Sequence, residues 1–95
     1  MKTCKARDIE AALNKKGFLH KETHHTIFYL CVNGRITGVH TFLSHGLKDY
    51  SADLLAKMKN QLHLSSKEFT DLIQCPLTGE RYLQLLVERG VIEDN

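Results

Sequence analysis

The chain has 95 residues, 42% of them apolar and 25% charged. That is the size and balance of one globular domain, and it excludes both a two-domain protein and a disordered segment. A formal net charge of +2 permits contact with nucleic acid without arguing for it, because a dedicated binder of duplex backbone carries a stronger basic bias.

Met1-Lys2-Thr3-Cys4-Lys5 opens the chain without the apolar run of a signal peptide, and no stretch approaches the length of a membrane span. From Lys5 to Lys16 the spacing predicts an amphipathic helix with Ile9, Ala12 and Leu13 on one face and Ala6 completing the stripe. Gly17 stands where a left-handed C-cap is wanted. Lys2, Lys5, Arg7, Lys15, Lys16 and Lys21 crowd the first quarter, a pattern that reads as a solvated face, whereas Glu93-Asp94-Asn95 makes the far end acidic.

Phe18 to Lys21 reads as a short strand. His24 to Val32 is rich in β-branched and aromatic residues. Asn33-Gly34 follows, the preferred pair for a type I′ hairpin turn, since both central residues need positive φ. Arg35 to Leu43 returns as the partner strand. A two-residue loop sets Val32 opposite Arg35, Leu30 opposite Thr37, Phe28 opposite Val39 and His25 opposite Phe42, a register that a bulge near Gly38 would break. Alternation gives a core face of Phe28, Leu30, Val32, Val39 and Leu43 with threonines between. The other face mixes His25, Ile27, Tyr29, Cys31, Ile36, Gly38, His40 and Phe42.

Ser44 to Tyr50 reads as a loop. Ser51 can cap a helix running to about Gln61, with Leu54, Leu55, Met58 and Leu62 buried. Ser65-Ser66-Lys67-Glu68 is a capping box opening a helix through Ile73, on which Phe69 and Leu72 face inward. Cys75-Pro76-Leu77 ends it. Thr78 starts a last helix carrying Tyr82, Leu85 and Leu86, and Gly90 stops it. The expected fold class is therefore α+β, a single domain over residues 1–95. An αβββα core holds a three-stranded antiparallel sheet, and two more helices follow.

Chemistry points to histidine. Six histidines in this length is high, and histidine exchanges protons near neutral pH. His20, His24, His25, His40 and His45 lie on or beside the predicted sheet, while His63 falls in a helix junction. No metal site is expected. His24 and His25 point to opposite strand faces, and His25 and Cys31 stand six positions apart, roughly 20 Å along a strand. Cys4, Cys31 and Cys75 form no CxxC pair, which fits reduced thiols in the cytoplasm. No nucleophile elbow, phosphate-binding loop or dinucleotide motif is present. General acid–base work on RNA remains open, because the 2′-hydroxyl supplies its own nucleophile and one placed histidine can start cleavage without a cofactor.

Four stretches together resemble the HicA family of toxin–antitoxin modules. They are Leu13-Asn14-Lys15-Lys16-Gly17-Phe18 at a helix end, His25-Thr26-Ile27-Phe28 on a strand, the Asn33-Gly34-Arg35 turn, and a loop with His45 leading to Gln61-Leu62-His63-Leu64-Ser65 and Lys67-Glu68-Phe69. They span roughly residues 5–73, leaving 74–95 as a C-terminal helical extension that either covers the sheet, completes the core or forms a homodimer contact. The resemblance implies a fold like a double-stranded-RNA-binding domain and a metal-independent mRNA endoribonuclease activity in the cytoplasm, restrained by an antitoxin protein. It maps the catalytic general base onto His25, with His24 as its fallback, and matches His45 to a loop histidine that either contacts substrate or shapes the loop; His24, His40, His45, Tyr29 and Lys21 are the candidate substrate-binding residues. Thr23 and His24 stand where the family has glycine and serine. A non-catalytic RNA-binding module and a protein-interaction domain docking through Ile27, Ile36 and Phe42 are the other two readings.

Overall fold

The computed structural model describes residues 3–74 and 76–92. Lys2, Cys75 and the acidic Glu93-Asp94-Asn95 segment lie outside the described residues. The chain runs β1 (Cys4–Lys5), α1 (Ala6–Lys15), β2 (Phe18–Glu22), β3 (His25–Val32), β4 (Arg35–Ser44), β5 (Asp49–Tyr50), α2 (Ala52–Gln61), α3 (Ser66–Gln74) and α4 (Gly79–Glu88). It is an α+β arrangement with a three-stranded antiparallel sheet in the order β2-β3-β4.

Local chemistry explains most of these boundaries. Gly17 takes φ +96° where α1 ends, a conformation that costs glycine no Cβ clash. Asn33 and Gly34 take φ +53° and +79°, the two positive values a type I′ hairpin turn requires. The capping box is reciprocal: Ser65 N–H donates to Glu68 Oε1 at 2.8 Å and Glu68 N–H donates to Ser65 Oγ at 3.1 Å. Thr78 caps α4 by accepting from Arg81 N–H at 3.1 Å. Ser51 occupies the N-cap of α2, but its side chain makes no capping bond.

The helices cover one sheet face. Ile9 and Leu13 of α1, Leu55 and Met58 of α2, Phe69 and Leu72 of α3, and Tyr82 and Leu86 of α4 form one buried cluster with Phe18, Phe28, Leu30, Val39 and Leu43. The predicted core face is the observed one. Thr41 is also fully buried there, and its hydroxyl donates to Gln61 Oε1 at 2.6 Å, which satisfies it. The stripe of α4 thus packs inside the core, with the Tyr82 ring stacked on Phe18 at 5.9 Å between centroids.

Three expectations are corrected. The hairpin register holds only near the turn, where Val32 faces Arg35 and Cys31 faces Ile36; beyond it Phe28 faces Thr41 rather than Val39, and His25 faces Ser44 rather than Phe42. β4 takes up two extra residues between Ile36 and His40, at Thr37-Gly38-Val39. The Thr37 hydroxyl holds that irregularity by donating to the Leu30 carbonyl at 2.9 Å. A shift by two keeps every side chain on its predicted face, because the strand period is two. Lys16 is not solvated: it is 7% exposed, and its ammonium donates to the Leu77 carbonyl. The loop after β4 ends in β5, which pairs Tyr50 with Cys4 and Asp49 with Lys5. Buried Tyr50 closes it, its hydroxyl oxygen accepting from Ser44 N–H at 2.6 Å.

Candidate functional site

No helix among the described residues packs on the second sheet face. Pairing places Leu19 beside Tyr29 and His40 in one row, Lys21 beside Ile27 and Phe42 in the next, and His25 beside Ser44 in a third. Toward the hairpin turn, Cys31 faces Ile36. Leu19 is 50%, Ile36 70% and Phe42 37% exposed. Ile27, Tyr29 and Cys31 are half-buried by their neighbours. Among the described residues of β2, β3 and β4, the one carboxylate is Glu22, and it pairs with Thr26 on the opposite face. Among the described residues of these strands, the open face therefore carries no acid and one fixed cation, Lys21, with two imidazoles.

Each anticipated site residue is at the surface or on this face. His25 is exposed at the first position of β3, on the open side. Lys21 is exposed one row away and diagonal to it, about 7–8 Å between backbone positions. Tyr29 and His40 face each other in mid-sheet. His24 is exposed in the turn before β3, and His45 is exposed directly after Ser44, the partner of His25. His24, His25 and His45 thus gather at one end of the sheet. His40 does not join them: it stands four positions from Ser44, about 13 Å along the strand.

Aromatic contacts order the face. The Phe42 ring lies between the two imidazoles, edge-on to His25 at 6.4 Å and to His40 at 5.4 Å. His40 Nδ1 is 2.9 Å from the Gly38 carbonyl, which fixes that ring locally. Thr23 shapes the turn before His25. Its N–H and its hydroxyl both donate to the His25 carbonyl, at 2.9 and 3.1 Å. The His25 imidazole has the Phe42 contact and no hydrogen-bond partner among the described residues.

Other groups are less suited to chemistry. Burial, and then the Asp8 carboxylate, push the Cys4 thiol above its ordinary range, away from a thiolate nucleophile. Among the described residues, no three of His, Cys, Asp and Glu gather where one ion could be held. No described helix is long and apolar enough to cross a membrane. Set against family models, curated proteins and solved structures, the chain matches none.

Alternation and the turn already bring Phe42, His40 and His25 together on one face. The two-residue irregularity in β4 decides the row, pairing Phe42 with Ile27 rather than with His25. The signal for it was Thr37-Gly38, a hydroxyl that can bond the backbone beside a residue that weakens strand pairing.

Proposed function

We propose that this chain is a metal-independent endoribonuclease acting on mRNA, a HicA-like toxin held in check by a cognate antitoxin protein. On this reading its αβββα portion is arranged like a double-stranded-RNA-binding domain. The observation that carries the reading is the position of His25, exposed on a sheet face where the described strand residues bring no acid, with Lys21 one row away. His25 takes the proton of a ribose 2′-hydroxyl as general base. The freed oxygen attacks the adjacent phosphorus, the bond to the 5′-oxygen breaks, and that oxygen takes a proton from water. A 2′,3′-cyclic phosphate and a 5′-hydroxyl remain. Lys21 offsets the phosphate charge, while His24 and His45 flank the same end of the sheet. The test is incubation of the purified chain with a long RNA in EDTA. Cleavage leaving cyclic phosphate ends is the expected result; intact RNA at every protein concentration contradicts it.

A non-catalytic RNA-binding module is the second reading. It is favoured by the His25 ring, which no hydrogen bond from the described residues orients, and by Thr23 and His24 in place of glycine and serine. RNA affinity that falls with salt, without cleavage, selects it.

A further inference from the structure

We infer that the open sheet face takes a single-stranded stretch of RNA, with an unpaired base stacked on Phe42; this rests on RNA being the substrate of that face. Charge separates single strand from duplex. A duplex presents phosphates and hides its base faces, so a protein that holds it needs many cations. Among the described residues of the three strands this face offers Lys21 as its one fixed cation, and the rest of its centre is Leu19, Ile27, Tyr29, Ile36, His40 and Phe42. Against a duplex those apolar groups would stay uncovered. Unpaired bases cover them, because every base has a π-face that stacks on an aromatic ring, while among the described residues of the three strands the phosphates find one lysine, two imidazoles and no carboxylate.

Geometry narrows the contact to Phe42. It occupies the central row beside Ile27 and Lys21, between His40 and His25. A base on Phe42 puts its own sugar within one row of His25. From the His25 row to the Tyr29–His40 row is about 13 Å, room on a sheet face for two or three bases. Phe42 thus holds the nucleotide next to the one whose 2′-hydroxyl meets His25. It is a binding residue and not a proton-transfer group.

The test uses the full chain and a mixed-sequence 2′-O-methyl RNA of about 12 nucleotides, whose blocked hydroxyls prevent cleavage. Anisotropy gives its affinity alone and annealed to its complement. The expected result is single strand tighter than duplex. Phe42→Ala weakens it on the order of tenfold, Phe42→Trp keeps it, and Phe42→Leu, which retains apolar bulk without a ring, falls with the alanine variant. Unchanged melting curves show that each variant is folded. Duplex binding as tight as single strand, or full affinity in Phe42→Ala, overturns the inference while leaving RNA as the ligand. Absence of binding to either form overturns the inference and the RNA reading together.

Discussion

The Tyr82 hydroxyl donates to the Leu62 backbone carbonyl across 2.9 Å, inside the core. That bond joins α4 to the segment after α2, and burial holds the phenol above its ordinary range, so it remains a donor at any working pH. Tyr82→Phe leaves a buried carbonyl unpaired and is expected to cost about 1–2 kcal/mol, while Tyr82→Ala empties a core site and costs about 3–5 kcal/mol. Urea denaturation of the two variants measures both. For the same reason a chain cut before Thr78 is expected to lose cooperative unfolding, since the α4 stripe is part of the shared core.

Arg89 and Glu68 give acid sensitivity a specific origin. Arg89 Nη2 donates to Glu68 Oε2 and Nη1 to the His63 carbonyl at 2.7 Å, and the Arg89 bond, then the Ser65 N–H, pull the Glu68 carboxyl down to about 2. The folded value lies below the ordinary 4.5, so the stabilisation is complete above that ordinary value and fades as pH falls toward 2. Both side chains are partly exposed, which holds the contribution to about 1 kcal/mol. Glu68→Gln is expected to be less stable than the parent at pH 7 and equal to it near pH 2. A difference that persists unchanged across that range would show that the ion pair is not its source.

Gly79 meets the end of α1 closely. A Cβ there would lie 3.1 Å from the Lys16 carbonyl oxygen and 3.2 Å from its Cα, backbone that cannot swing aside. Gly79→Ala is expected to destabilise by about 1–3 kcal/mol, despite alanine's better helix propensity, as read from the thermal midpoint.

His63 sits at φ +62° between α2 and α3, a left-handed conformation that strains a residue with a Cβ. Its carbonyl is the group in use. His63→Gly keeps that carbonyl and is expected to stabilise by about 0.5–1 kcal/mol once the added freedom of the unfolded chain is counted; a lower melting temperature would show that the ring itself matters.

Much of this architecture is legible in local chemistry. Ile9, Leu13, Leu55, Met58, Phe69, Leu72, Tyr82 and Leu86 lie at helical spacing, and all are buried. Asn33-Gly34 fixes the turn, and alternation fixes the faces, because a shift of two residues leaves parity intact. Long-range pairing is not legible in that way. Cys4 with Tyr50, and Lys16 with Leu77, join residues far apart in sequence whose types carry no local sign of each other. Lys16 looks like its neighbour Lys15, and only the packing of α1 against the segment before α4 separates a buried ammonium from a solvated one. At the candidate site, the histidines, Phe42 and their shared face are readable from alternation, but the row that Phe42 joins, with Ile27 and Lys21, follows from a bulge that a period of two does not encode.

The sharpest measurement is RNA cleavage rate in EDTA for the parent chain beside His25→Ala, His24→Ala and His40→Ala. General-base work by His25 predicts a loss on the order of 10²- to 10⁴-fold in His25→Ala, larger than the loss in either of the variants at the substrate-contacting positions. Undiminished cleavage by His25→Ala would contradict it.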